Sequence, residues 1–135
     1  MELSKALAIS ASGMDVQTTR LRVIAENLAN QDTTGSTPGA PAYRRQTVVF
    51  ADHVDSAAGV PLVQVQEIDP DPTPQPLRYD PSNPAANAQG YVTLPNVNSF
   101  VEIMDMRDAE RTYAANLSVM QATRSMLTRT IDMLK

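Results

Sequence analysis

Prolines divide this chain into two long ends and a different middle. All ten prolines of the 135-residue sequence lie between Pro38 and Pro95, and both proline-free ends repeat apolar residues every seven positions. These positions are Leu7, Met14, Leu21 and Leu28, and then Met106, Tyr113, Met120, Leu127 and Leu134. A sustained seven-residue repeat needs a partner helix, because one helix cannot bury its own apolar stripe. The sequence therefore predicts a mainly α fold, in which long N- and C-terminal helices pair as an antiparallel coiled coil around a small antiparallel β-containing insert.

The first segment, residues 1–32, is predicted to be an axial helix over about 3–30. A line of small residues runs beside its apolar seam, and we expect it to let a second helix approach closely: Ser4, Ala11, Thr18 and Ala25. The polar stretch 30–39 contains glycine and proline and ends the helix.

The middle segment, residues 33–97, is predicted to be a Pro-rich insert with short β-strands. Residues 44–50 are rich in β-branched side chains, and 60–68 alternate imperfectly between apolar and polar. Residues 69–76 carry proline at every second position and are expected to form an extended connector. The short runs 77–79 and 91–94 are expected to pair.

The last segment, residues 98–135, is predicted to be the second axial helix, forming one structural unit with the other two segments. Ser99 with Glu102 three residues later fits a capping box at its start. The second line of its seam is Ile103, Glu110, Leu117, Arg124 and Ile131. Glu110 and Arg124 are charged, and charged seam positions cost stability but select register or partner.

Composition and charge exclude several classes of protein. The net charge is −4 and no basic patch is present, so nucleic acid is not an expected partner. The absence of cysteine excludes a disulfide framework and a thiolate zinc site. The sequence contains no run of about 20 apolar residues, so a membrane-spanning helix is not predicted. The first residues lack a signal-peptide pattern, so we expect a cytosolic protein or export without signal cleavage.

The sequence does not predict an active site, a metal or a cofactor. His53 is the single histidine and lies in a loop-like context, and metal sites normally need several ligands at suitable spacing. Asp69 and Asp71 are embedded among prolines without the glycine turn and distal glutamate of a calcium loop. We therefore expect a protein that is not an enzyme.

Two polar pairs have open interpretations. Arg44 and Arg45 either bind an anionic group, such as a carboxylate of a neighbouring subunit, or are solvated charges at a strand start. Asn27 and Asn30 either end the first helix by local hydrogen bonds or make polar contacts with the second helix.

Several stretches of sequence resemble the axial proteins of the bacterial flagellar rod and hook. The first contains Ser12-Gly13-Met14 and continues into IAENLANQDTTG at 24–35. The others are PAYRRQTVVF at 41–50, DPSNPAANAQGYVTLPNVN at 80–98 and ERTYAANLSVMQATRSMLTRTIDML at 110–134. The resemblance covers nearly the whole chain and is closest to the proximal rod members of that family.

This resemblance implies a structural subunit of the flagellar basal body. Its helices would stack with its own copies and other rod subunits into a drive shaft that transmits torque from motor to hook. Export would use the flagellar type III apparatus, which places the protein in the rod within the periplasmic space. Before assembly, the terminal helices are expected to be partly disordered, because such isolated helices are marginal in water.

Two other hypotheses remain open at this point. The chain would also fit a generic self-associating coiled-coil adaptor, although an adaptor would not need the Pro- and Asn-rich motif at 80–98. A small hydrolase using His53, Asp69 or Asp71 is the third hypothesis.

Overall fold

A computed structural model describes residues 2–55 and 59–134 of the chain. Its elements, in chain order, are α1 (Glu2–Ala29), β1 (Gln46–Asp55), β2 (Val60–Pro70), β3 (Leu77–Tyr79), β4 (Tyr91–Thr93) and α2 (Ser99–Asp132). The predicted fold class is confirmed: two long helices pack together, and small antiparallel hairpins lie between them in sequence. Met1 and Lys135, the outer ends of the predicted terminal segments, lie outside the described residues.

The first hairpin, β1–β2, is longer than the sequence predicts. β1 continues past Phe50 to Asp55, and β2 includes Asp69 and Pro70, which were expected to belong to the connector. Proline is tolerated there because a two-stranded sheet has only edge strands, so no ladder hydrogen bond is lost on the open side. The extended connector therefore begins at Asp71, whose amide donates to the carbonyl of Arg45 at 2.8 Å.

The second hairpin pairs β3 with β4 in antiparallel register, with Tyr79 opposite Tyr91. The rings of these tyrosines meet edge to face, with centroids 5.3 Å apart. Gly90 has a φ of +83°, and a Cβ added there would lie 2.9 Å from the Tyr79 ring. The turn therefore requires glycine for its backbone conformation and for the space beside Tyr79.

The chain forms two compact units, each of which contains parts of both helices. Unit 1 comprises α1 up to Leu21, the 48–67 part of the first hairpin and α2 from Met106 onward. Unit 2 comprises Arg22–Thr47 and Ile68–Asp105.

In unit 1, the helices run antiparallel. As the chain advances along α1 from Gly13 to Arg20, its contact on α2 moves back from Asn116 to Asp108. The small line that was expected to allow this approach faces outward instead: Ser4, Ala11, Thr18 and Ala25 are all exposed. The buried side chains of α1 in this unit are Ser10, Val16 and Gln17. Close approach therefore occurs at Gly13, where a Cβ would lie 2.7 Å from the Asn116 amide nitrogen.

In unit 2, polar and apolar side chains share the interior. Val23, Ile24 and Val92 are buried, and so are Asn27 and Glu102. The Ser99–Glu102 capping box is wrong: the Asn98 side-chain oxygen accepts from the amides of Phe100, at 3.0 Å, and Val101, at 3.4 Å. Asn98 therefore caps α2, which leaves the Glu102 carboxylate available for the interior. The Ser99 hydroxyl donates to the side-chain oxygen of Gln31, just beyond α1.

Candidate functional site

A cluster of polar side chains, the Arg45 cluster, occupies the interior of unit 2. Its members are Asn27, Arg45, Asp71, Glu102 and Asp105. The Arg45 guanidinium donates from Nε to Glu102 Oε1 at 2.5 Å, from Nη1 to Asp71 Oδ2 at 3.2 Å and from Nη2 to Asp105 Oδ2 at 3.3 Å. The Glu102 side chain is 0% exposed and that of Arg45 is 20% exposed. The guanidinium fork thus joins a fully buried carboxylate to two that reach solvent.

Asn27 uses both ends of its side-chain amide in the same cluster. Its Nδ2 donates to the carbonyl of Gln46 at 2.9 Å and to Glu102 Oε2 at 3.1 Å. Its Oδ1 accepts from the Tyr43 hydroxyl and from the Gln46 amide, each at 2.9 Å. Both carboxylate oxygens of Glu102 therefore have a donor, as a buried charge requires.

The charges of the cluster shift the pKa values of its members. Hydrogen bonds from the Thr73 hydroxyl and amide, together with Arg45, hold the pKa of Asp71 below its ordinary value. Burial alone lowers the pKa of Arg45, but the hydrogen bonds and negative charges of Glu102 and Asp71 raise it overall. Burial raises the pKa of Tyr43, and the negative charges of Glu26 and Glu102 add to that effect. At neutral pH, Arg45 and Asp71 are therefore charged and Tyr43 is neutral.

Arg44 contacts the connector rather than the carboxylates. Its Nη1 donates to the carbonyl oxygens of Asp71 at 2.9 Å and Thr73 at 3.2 Å, and its Nη2 lies 3.5 Å from the side-chain oxygen of Gln75. Asn96 donates to the same two carbonyls. Both arginines that the sequence left open thus have partners within their own chain.

The predicted helix seams have uneven burial. Leu7, Met14, Leu21 and Leu28 of α1 are half-buried, as are Met106, Tyr113 and Met120 of α2. Toward the C-terminus of α2 the seam is exposed, with Leu117 and Leu127 at 37%, Ile131 at 49% and Leu134 at 83%. Glu110 and Arg124 are exposed as well. The end of α2 therefore presents apolar side chains to solvent in the single chain.

The two asparagines of α1 differ in surroundings. Asn27 is buried and contacts Glu102 on α2, whereas the Asn30 side chain donates to the carbonyl of Glu26 at 2.9 Å and accepts from the Thr33 hydroxyl. Asn30 thus makes local hydrogen bonds at the end of α1.

The described residues offer no group of three or more His, Asp or Glu side chains that would hold a metal ion. His53 is exposed on β1, and the Asp71 carboxylate accepts hydrogen bonds from Thr73 and Arg45. Among the described helices, none has the length and apolar character needed to cross a membrane.

Comparison with known proteins agrees with the resemblance seen in the sequence. Residues 7–37 match the family model described as flagella basal body rod protein, and residues 88–133 match the one described as flagellar basal body rod FlgEFG protein C-terminal. The flagellar basal-body rod protein FlgC of Agrobacterium fabrum is 49% identical over 133 residues, covering 98% of this chain and 96% of the relative. The chain belongs to the FlgC family of flagellar basal-body rod proteins.

More distant FlgC proteins also align along their whole length. The Salmonella typhimurium protein is 38% identical, with 98% of each chain covered, and that of Borreliella burgdorferi is 34% identical, with 100% of this chain and 99% of the relative covered. As a member of the FlgC family, the chain is a non-enzymatic structural subunit of the flagellar basal-body rod. The predictions of family, function and location are therefore confirmed.

The sequence did not reveal the role that Glu102 and Asp71 have in this FlgC-family fold. One signal was present for Glu102: it starts a seven-residue line of α2 that continues through Ala109, Asn116 and Thr123. Three of these four are buried, and Asn116 is half-buried. A line of small and polar residues beside the large apolar seam marks the face of α2 that lies inside the chain. Asp71 had no comparable signal, because its partner Arg45 is distant in sequence.

Proposed function

We propose that this FlgC-family subunit is part of the proximal rod and assembles by packing its helix seams against its own copies and other rod subunits. In that position it forms part of the drive shaft that transmits torque from motor to hook. The subunit reaches the rod, within the periplasmic space, by flagellar type III export. Family membership supports this proposal.

The exposed seam at the end of α2 is the observation that carries the assembly proposal. In the antiparallel register of unit 1, residues beyond about Leu127 lie past the start of α1, so no helix in the described part of the chain lies opposite them. Burying a side chain such as leucine stabilises an association by about 1.5–3 kcal/mol. Leu127, Ile131 and Leu134 together can therefore offset a substantial part of the ordering cost of assembly.

Three further predicted positions on α2, Glu110, Leu117 and Arg124, fit the same proposal. Leu117 on α2 is exposed beside the charged seam residues Glu110 and Arg124. Charges on an exposed seam select among partners by pairing with opposite charges and repelling like ones. We propose that these two residues help to choose the neighbouring subunit, and that the three predicted segments act together as one subunit.

Replacement of the seam leucine in the cell tests the proposal. Leu127→Glu places a charge on the exposed seam, and we expect loss of swimming and of rods in isolated basal bodies. Leu127→Met keeps an apolar side chain and serves as the control, with normal swimming expected. Normal swimming and intact rods with Leu127→Glu would contradict assembly through this seam.

The coiled-coil adaptor hypothesis has no observation in its favour. Its discriminating feature was the segment 80–98, which an adaptor would not need. That segment forms β4 and its ordered turn, and the FlgC-family relatives align across it.

A further inference from the structure

The Arg45 cluster joins four separate stretches of unit 2. Asn27 belongs to the end of α1, Arg45 directly precedes β1, Asp71 begins the connector, and Glu102 and Asp105 lie in the first turns of α2. Arg45 makes three ion pairs, with Asp71, Glu102 and Asp105. One guanidinium therefore connects the start of the insert to the helix that follows it.

Because Glu102 is buried, the loss of one of its partners is costly. The carboxylate is 0% exposed, and its two oxygens accept from Arg45 and Asn27. Removal of one partner from a buried pair leaves an uncompensated charge in the interior, which is strongly destabilising. Loss of the guanidinium alone should therefore destabilise the interior of unit 2.

The helix contact in unit 1 has a different character. Its Arg20–Asp108 pair has side chains 25% and 63% exposed, and exposed pairs contribute little. A buried oxygen of Gln17 has no hydrogen-bond partner. The three atoms nearest to a Cβ at Gly13 belong to the end of the flexible Asn116 side chain. Within the described part of unit 1, the ion pair between the helices is thus exposed, and the seam residues Leu7, Met14 and Met120 are only half-buried.

We infer that Arg45 is a latch that pairs the last turns of α1 with the first turns of α2 in the free subunit, before any rod neighbour is present. The boundary between the ordered and the assembly-dependent parts then falls inside each helix, near Leu21 on α1 and Asp105 on α2, rather than at the helix ends. The inference rests on the proposed function in one respect, because assembly is what orders the remaining helical residues.

Amide hydrogen exchange of the purified full-length subunit, without any other rod protein, tests the latch. We expect slow exchange for amides of 24–29 and 102–105 and faster exchange for those of 7–20 and 110–130. Equal exchange in the two sets, whether fast or slow, would overturn the inference. The exchange measurement is made on unassembled protein. A negative exchange result would therefore overturn the latch but not the seam proposal, which the swimming test decides. A negative swimming test would likewise leave the latch unaffected.

Variants of Arg45 test whether slow amide exchange at 24–29 and 102–105 depends on the guanidinium. Arg45→Met should speed exchange at 24–29 and 102–105 by about a hundredfold or more. Arg78→Met is the matched control: its side chain is 57% exposed and pairs with Asp80 at 3.7 Å, and exchange should stay as in the natural protein. Unchanged protection in Arg45→Met, or equal loss in Arg78→Met, would overturn the assignment.

A double variant distinguishes the latch from general unfolding. Arg45→Met combined with Glu102→Leu replaces the buried pair by apolar groups, and such exchanges are often neutral or stabilising. Asn27 keeps its hydrogen bonds to Gln46 and Tyr43. We expect protection at 24–29 and 102–105 to recover at least tenfold over Arg45→Met. No recovery would show that the guanidinium does not act through Glu102 and would overturn the latch.

Discussion

At the two ends of α2 the usual distribution of side chains is reversed, because a charged side chain is buried at one end and apolar side chains are exposed at the other. In its first turns, within unit 2, the charged Glu102 is fully buried with donors on both oxygens. In its last turn, within unit 1, the apolar Ile131 is 49% exposed, and Leu134, two residues beyond the helix, is 83% exposed. A buried, fully hydrogen-bonded charge accepts only a partner of matching geometry, whereas an apolar stripe accepts any complementary apolar surface. The Glu102 face at the start of α2 is therefore fitted to its own chain, whereas the exposed apolar end is the surface that we propose packs against other rod subunits.

The largest expected effect within this comparison comes from Asn27. Asn27→Ala removes four hydrogen bonds and leaves unpaired polar groups on the buried Glu102 and the half-buried Gln46. We expect the free energy of unfolding to fall by about 3 kcal/mol or more. Urea denaturation of the purified subunit measures this change.

Asn30→Ala is the matched control for Asn27. Its side chain makes local hydrogen bonds at the exposed end of α1, and we expect a loss of less than about 1 kcal/mol. Equal losses in the free energy of unfolding for the two variants would show that the buried cluster stabilises unit 2 no more than local hydrogen bonds do.

A smaller effect is expected at the turn between β3 and β4. Gly90→Ala forces an alanine to a φ of +83° and pushes its Cβ against Tyr79, so we expect a loss of about 2 kcal/mol. Gly39 has a similar φ of +75° but open space around it, and Gly39→Ala should cost only about 1 kcal/mol. Thermal melting of both variants compares the two sites, and an equal shift would mean that the Tyr79 contact contributes nothing.

The smallest effect concerns acid. Because the folded-state pKa of Asp71 is lowered, its carboxylate contributes stability that is complete above the unfolded-state pKa of about 3.9 and is lost as the pH falls through the folded-state value. Asp71→Asn should therefore reduce stability at neutral pH and flatten its decline in acid. Thr73→Val removes the hydroxyl donor and should give an intermediate profile. Urea denaturation across the acid range measures these profiles, and parallel curves for all three proteins would contradict this origin of the acid dependence.

The periodic parts of the fold were predictable from sequence, and the long-range polar contacts were not. The seven-residue repeats gave both helices to within a few residues, because periodicity is a local property of the chain. Glu102 satisfied the spacing of a capping box, yet Asn98 caps α2 and Glu102 faces Arg45. A local rule cannot tell these uses apart, because the competing partner lies far away in sequence.

The buried faces of the helices illustrate the same limit. The apolar seam drew attention to Leu7, Met14, Leu21 and Leu28, yet the side chains buried on α1 include Ser10, Gln17 and Asn27. A periodic apolar line shows that a helix needs a partner, but it does not show whether that partner belongs to the same chain. For the candidate site, the residue types of the polar cluster were partly singled out, whereas their connections required the structure.

The contact between Gln31 and Ser99 has a consequence for how this fold evolves. It brings together the point where the insert leaves α1 and the point where it rejoins α2. A closed loop with fixed ends gains length cheaply, since each doubling of its length costs only about 0.6 kcal/mol in closure entropy. Lineages can therefore lengthen or shorten the insert while the register of the two helices stays the same.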